Sequence, residues 1–112
     1  MRPTQALINL SAIRHNVRQI RSTLAPDTRF IAVVKANAYG HGVIPVSRTL
    51  LGAGADWLAV ALPEEGAELR SAGFRVPILV LGLLFPEQLP TAIDHELTVT
   101  VSSLDTLNAF NA

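Results

Sequence analysis

Cysteine is absent from the 112-residue sequence, which excludes disulfide bonds, thiolate metal sites and cysteine nucleophiles. Charged residues are scarce at 16%, below the roughly 25% of an average soluble domain, and nine basic residues balance nine acidic ones. A neutral chain lacks the basic excess with which nucleic-acid binders neutralise phosphates, so we expect no nucleic-acid partner. Intrinsic disorder is excluded as well, because 49% of the residues are hydrophobic.

Long hydrophobic runs are also missing. The longest run, residues 78–85, is far shorter than the ~20 residues of a membrane-spanning helix. The N-terminal residues lead into no apolar core with a small-residue cleavage site, as a secretory signal would. These absences predict a cytoplasmic protein with no membrane partner.

The first 30 residues predict a short strand followed by a helix. Residues 6–10 have modest strand character, and Asn9 or Ser11 is expected to cap the helix that follows. Pro26 is expected to end this helix, and a stripe of arginines beside its apolar face is interpreted as solvated. The apolar residues recur with the spacing of one helical face: Ile13, Val17, Ile20 and Leu24.

Four apolar runs then follow at fairly even intervals and predict strands. Most of the runs are continuous rather than alternating, as is typical of parallel strands that are covered on both faces. Helix-like segments separate them: one spans residues 43–51, others begin at Pro63 and Pro86, and a last one covers residues 103–110. The four runs are residues 30–34, 57–62, 78–81 and 97–101.

This alternation of strands and helices predicts an α/β protein with a parallel sheet. Two architectures fit the pattern: an open, doubly wound sheet, or half of an eight-stranded (β/α)8 barrel of the TIM type. The periodicity does not separate them. Both architectures bind their ligands at the carboxyl ends of the strands, which directs the search for a site to the loops that follow the apolar runs.

The loop after the predicted strand at residues 30–34 carries the chain's only lysine and only tyrosine, Lys35 and Tyr39. An ammonium at the end of a buried strand is costly to desolvate, and a lysine that loses its proton attacks aldehydes to form a Schiff base. Gly40 and Gly42 would let a ligand approach the backbone closely, and Tyr39 with a nearby helix N-terminus would receive a phosphate. Spacing alone leaves a second interpretation open, a lysine paired with a carboxylate on a neighbouring strand.

Residues 33–42, VVKANAYGHG, resemble the pyridoxal-phosphate signature of the alanine racemases without a break. The resemblance continues through residues 12–17, 53–61, 64–70 and 77–82, so that it covers nearly the whole chain. It implies that residues 1–112 form the N-terminal half, about four βα units, of a (β/α)8 barrel. It also implies a homodimer and a mostly β C-terminal domain that is absent from this chain.

The resemblance implies a role for each of four residues. Lys35 would carry pyridoxal 5'-phosphate as a Schiff base and, once an incoming amino acid has displaced it, act as one of two opposed acid–base groups at Cα. Tyr39 would hydrogen-bond the phosphate of the cofactor, and Val33 and Leu81 match positions that line the cofactor. In the family the opposing base is a tyrosine from the other subunit. It belongs, like most phosphate-binding loops, to segments that have no counterpart here.

The implied function is interconversion of L-alanine and D-alanine, which supplies D-alanine for peptidoglycan, with the 112-residue chain inactive on its own. Three alternatives remain open. The chain would be part of a non-catalytic pyridoxal-phosphate-binding barrel, of a racemase for another amino acid such as serine, or of a structural module that assembles through exposed strand edges.

No metal site is predicted from the three histidines, because no two of them have the spacing of a helical metal pair. His41 is interpreted as a structural loop residue rather than a direct participant in the site. Residues 94–96, Asp-His-Glu, are interpreted as a polar turn before the last strand.

Overall fold

The fold is a four-stranded parallel sheet with helices packed on one face, seen in a computed structural model that describes residues 4–112. The strands are β1 (Ile31–Val33), β2 (Trp57–Val60), β3 (Ile78–Leu83) and β4 (Thr98–Thr100). The helices are α1 (Leu10–Ser22), α2 (Lys35–Tyr39), α3 (Val43–Ala53), α4 (Pro63–Ser71), α5 (Leu89–Asp94) and α6 (Leu104–Phe110). A 3₁₀ turn at Pro86–Gln88 precedes α5.

All four predicted β-strands that follow residue 30 are confirmed, whereas the strand predicted at residues 6–10 is wrong. The Oδ1 atom of Asn9 accepts the N–H of Ala12 at 3.0 Å, so α1 already begins at Leu10. Residues 4–9 belong to no helix or strand, and Leu7 is 84% exposed, so burial does not favour an extended conformation there. Asn9 is therefore the cap, and α1 ends at Ser22, ahead of Pro26.

The strand order resolves the choice that periodicity left open. The four strands lie in the order β1-β2-β3-β4, and every adjacent pair is parallel. Right-handed crossovers between successive neighbours place all the connecting helices on the same face, whereas a doubly wound sheet reverses its strand order to cover both faces. The arrangement is that of consecutive βα units of a barrel.

The two faces of the sheet differ in burial, as this topology requires. One face packs under the helices and forms the core with α3, α4 and α5; its buried sheet residues are Ala32, Leu58, Val60, Ile78 and Val80. The other face is open: Ile31, Val33, Leu81 and Leu83 are 40–60% exposed. The high apolar content of the sequence is thus divided between a packed core and an uncovered sheet face.

Strands β2 and β3 approach each other closely near their carboxyl ends. The N–H of Gly82 donates to the carbonyl of Ala61 at 3.3 Å. A Cβ atom at residue 82 would lie only 2.6 Å from that carbonyl oxygen, so the position requires glycine. The strands are thereby held in register as far as the edge where a ligand would bind.

Two arginines join the helices to the loops. The Nη1 atom of Arg21 donates to the carbonyl of Thr28 at 2.6 Å and lies 3.3 Å from the carboxylate of Asp56. Arg21 belongs to the arginines beside the apolar face of α1 that were interpreted as solvated, and it is not simply solvated. Arg70 of α4 donates to four backbone carbonyls, those of Phe74, Val76, His95 and Glu96. The last two form the turn between α5 and β4, so the polar turn predicted at residues 94–96 is confirmed for 95–96, whereas Asp94 ends α5.

Candidate functional site

Lys35 follows the carboxyl end of β1 and comes directly after the buried residue Val34. Val34 is 1% exposed, and its N–H donates to the carbonyl of Ala59 on β2 at 2.8 Å. The strand register pairs Val33 with Ala59 and Ala59 with Leu79, so Val33 and Leu79 lie at the same level of the sheet. Lys35 and Leu81 each come two residues later, Lys35 after the end of β1 and Leu81 within β3. The predicted site residues Val33, Lys35 and Leu81 thus all lie towards the carboxyl ends of their strands.

The segment from Lys35 to Tyr39 forms a left-handed helical turn, which the sequence did not predict. Ala36, Asn37 and Ala38 have φ angles of 53–56° and ψ angles of 45–50°, and Tyr39 has a φ of 57°. For residues other than glycine this conformation costs roughly 1–2 kcal/mol each and is normally confined to single residues. A run of four such residues persists only where the surroundings enforce it, which is typical of functional sites.

Two polar side chains hold this turn in place. The Oε2 atom of Glu65, from α4, accepts the N–H of Ala36 at 2.6 Å. The Oδ1 atom of Asn37 accepts the N–H of Val43 at 2.8 Å and ties the turn to the start of α3. A hydrogen bond to a charged group contributes about 1.5–3 kcal/mol, which is comparable to the strain of one or two residues of the turn.

Two glycines connect the left-handed turn to α3. Gly40 and Gly42 have φ angles of 89° and 96°, which favour glycine, and they carry the chain out of the turn into α3. A Cβ atom on Gly40 would meet nothing within 4 Å, so no close approach within the chain explains it. The first amide of α3, at Val43, is already bonded to Asn37 and is not free for a phosphate.

The reactive side chains of the turn have no polar partner within residues 4–112. Lys35 is half-buried and forms no ion pair there, so the pairing with a carboxylate that spacing left open does not occur. Tyr39 is 59% exposed, and its hydroxyl makes no hydrogen bond to any residue of this range. This end of the sheet therefore carries a primary amine, a phenol hydroxyl and the exposed apolar side chains of Val33 and Leu81.

Two of the three histidines, His41 and His95, lie against nearby backbone carbonyls. The Nδ1 atom of His41 lies 3.0 Å from the carbonyl oxygen of Ala38, and that of His95 lies 2.9 Å from the carbonyl oxygen of Thr91. No group of three metal-ligating side chains occurs in the part of the chain that the structure describes. Nor does any helix in that part have the length and apolar character to cross a membrane.

Glu65 is the residue at this site that sequence reasoning missed. It is the third residue of α4, the position from which a glutamate side chain reaches back to the amide that precedes a helix. Its Oε1 atom does accept the N–H groups of Ala61 and Leu62, at 2.7 and 2.8 Å. Its reach to Ala36, 29 residues earlier in the chain, has no local sequence signal.

Comparison with known proteins identifies relatives over almost the whole chain. A family described as "Alanine racemase, N-terminal domain" matches residues 8–112. The alanine racemase of Desulforamulus reducens is 52% identical over 103 residues, which are 92% of this chain and 28% of the relative. The alanine racemase of Halothermothrix orenii is 48% identical over 110 residues, or 98% of this chain and 29% of the relative.

Solved structures agree with the sequence comparison. An alanine racemase of Clostridium difficile 630 in complex with cycloserine matches 99% of this chain and 30% of its own, with a TM-score of 0.93 and 41% identity. A histidine racemase of Leuconostoc mesenteroides matches 90% of this chain and 27% of its own, with a TM-score of 0.80 and 32% identity. The chain spans less than a third of the length of each of these relatives.

Proposed function

This chain belongs to the alanine racemase family, within its N-terminal domain, and from that membership we propose that it is the N-terminal part of a longer pyridoxal-phosphate-dependent alanine racemase. Residues 1–112 would supply about four βα units. Further segments would complete the barrel and add the C-terminal β domain. The chain's share of its relatives, 28–29% of their length, supports this division.

The observation that carries the proposal is the left-handed turn with its unpaired amine and hydroxyl. Pyridoxal phosphate presents an aldehyde, an aromatic ring and a phosphate, and the residues at the sheet edge match these three parts chemically. Lys35 offers the amine for the aldehyde, Val33 and Leu81 offer apolar surface for the ring, and Tyr39 offers a donor for the phosphate. The donor set therefore fits the cofactor.

Each residue then has a definite task. When bound, the cofactor supplies a conjugated ring that stabilises negative charge at Cα of the amino acid. Lys35 would hold the aldehyde group through Nζ and would serve as the acid–base group at Cα on one face. Tyr39 would donate a hydrogen bond to the phosphate, and Val33 and Leu81 would exclude water from the ring. The base for the opposite face lies outside this chain.

The proposal includes the setting that the family resemblance implies. The full-length racemase would act as a homodimer in the cytoplasm and supply D-alanine for peptidoglycan. Its direct test is the formation of D-alanine from L-alanine by the full-length protein with pyridoxal phosphate, followed by chiral chromatography. No D-alanine above the background of free cofactor would contradict the proposed function.

We expect Tyr39→Phe to weaken cofactor binding in the full-length racemase. The substitution removes one hydrogen bond to a charged acceptor, a loss of about 1.5–3 kcal/mol. The dissociation constant for pyridoxal phosphate should then rise about tenfold to a hundredfold, at roughly 1.4 kcal/mol for each factor of ten. A fluorescence titration of the cofactor-free protein measures this directly, and an unchanged dissociation constant would show that Tyr39 does not contact the phosphate.

A second candidate function is racemisation of a different amino acid. The 32% identity to a histidine racemase favours this candidate, because a protein with that name shares this part of the fold. The 52% identity to an alanine racemase favours alanine more strongly. The ratio of kcat/KM for alanine to that for histidine and for serine, measured on the full-length protein, decides between the two.

A further inference from the structure

The carboxylate of Glu65 joins two neighbouring loops at the carboxyl edge of the sheet. One oxygen accepts the amides of Ala61 and Leu62, which lead from β2 into α4, at 2.7 and 2.8 Å. The other oxygen accepts the amide of Ala36, in the loop that follows β1, at 2.6 Å. Glu65 is half-buried, and all three of these bonds go to backbone groups.

These bonds bear directly on Lys35, because the amide of Ala36 is the peptide group that follows it. On the other side of Lys35, the peptide group between Val33 and Val34 is fixed by the bond from the N–H of Val34 to the carbonyl of Ala59 at 2.8 Å. The backbone of Lys35 thus lies between two anchors, one on β2 and one on α4. The residues after it are held in the costly left-handed conformation, which has no local preference of its own to keep it in place.

We propose that Glu65 is a positioning residue, which holds the backbone of Lys35 so that its Nζ atom meets the aldehyde of pyridoxal phosphate. This inference rests on the proposed function. Glu65 acts through the peptide backbone and not as a counter-ion, since it forms no ion pair with Lys35. The side-chain nitrogen of Lys35 is left unpaired by Glu65, while the backbone from which it reaches the aldehyde is held in place.

The step that Glu65 favours is the attachment of the cofactor. The Nζ atom of Lys35 adds to the aldehyde carbon, a C=N bond forms, and one water molecule leaves, without oxidation or reduction. A small displacement of a reacting group costs about a hundredfold in rate, so loss of the anchor should slow this step. Binding of the cofactor's ring and phosphate should depend much less on Glu65.

The test compares Glu65→Gln with Glu64→Gln in the full-length racemase. Both substitutions remove one negative charge at the start of α4, but Glu64 is exposed and bonds no backbone amide. In Glu65→Gln an amide NH₂ replaces one acceptor oxygen and opposes an N–H group. We expect the rate at which the visible absorbance of lysine-bound cofactor appears to fall tenfold to a hundredfold in Glu65→Gln and to stay unchanged in Glu64→Gln.

Two further measurements isolate the positioning role. Pyridoxine 5'-phosphate lacks the aldehyde and cannot attach to Lys35. Each variant should therefore bind it with a dissociation constant within about twofold of the value for the parent protein. In racemisation, kcat should fall in Glu65→Gln while KM for alanine changes little. If Glu65→Gln attaches the cofactor as fast as Glu64→Gln, the positioning role is overturned.

Glu65→Asp provides the test should Glu65→Gln fail to fold. Aspartate keeps the charge and the acceptors for the nearby amides of Ala61 and Leu62, but it is one methylene too short to reach Ala36 as well. Slow attachment in this variant supports the proposal, and attachment at the parent rate contradicts it. Failure of the parent protein itself to attach the cofactor at Lys35 would instead overturn the proposed function.

Discussion

Lys35→Arg in the full-length racemase is expected to lower the rate of alanine racemisation by roughly 10²–10⁴-fold, the usual contribution of one acid–base group. Arginine keeps the positive charge, but its guanidinium stays protonated and forms no covalent bond with the aldehyde. Lys35 is the only lysine of this chain, so no neighbouring residue of the segment offers a second amine. The variant should also lose the visible absorbance of lysine-bound cofactor.

The control for this substitution is Arg18→Lys, which exchanges the same two residue types on the exposed face of α1. Its racemisation rate should equal that of the parent protein. Initial rates of D-alanine formation, measured at saturating cofactor, distinguish the variants. A Lys35→Arg protein with more than a tenth of the parent kcat would contradict the role assigned to Lys35.

The isolated 112-residue chain is expected to show no enzymatic racemisation. It carries the amine that would act on one face of the substrate, but the opposed base belongs to segments that it lacks, and each such group contributes about 10²–10⁴-fold. The apolar face that a complete barrel would enclose is open, with Leu81 at 42% and Leu83 at 60% exposed. The described sheet also ends in unpaired edges at β1 and β4, which invite association between chains.

The measurement is D-alanine formation by the purified chain with added pyridoxal phosphate, compared with the free cofactor and with the full-length protein. We expect a rate no more than a few times that of the free cofactor. Size-exclusion chromatography should show self-associated material rather than a monomer. Turnover near the ~1–10³ per second of ordinary enzymes would show that the site is complete without the remaining segments.

The sheet could be predicted from the sequence because each strand has a recognisable local sequence pattern. A continuous apolar run such as residues 78–81 indicates a buried strand, and a proline such as Pro63 indicates the start of a helix. Neither signal requires information about residues that are distant in the sequence. Residues 6–10 show the limit of this reasoning. Their apolar character suggested a strand, but Leu7 is exposed and the cap at Asn9 starts the helix instead.

The site was only partly predictable, for a physical reason. The position of Lys35 after the first strand follows from the strand pattern, and the register brings Val33 and Leu81 to the same edge. The left-handed turn does not follow, because it opposes the local preferences of Ala36 and Ala38 and is held by a hydrogen bond that the N–H of Ala36 donates to Glu65. Long-range hydrogen bonds of this kind cannot be predicted from the local sequence.

The central claim is that Lys35 is the residue that binds pyridoxal phosphate covalently, and one experiment tests it most directly. The full-length protein is loaded with the cofactor, reduced with borohydride to fix the linkage, digested and mapped by mass spectrometry. We predict a pyridoxyl group on Nζ of Lys35, in the peptide that contains Tyr39. A pyridoxyl group on a different lysine of the full-length protein, or none at all, would contradict the account.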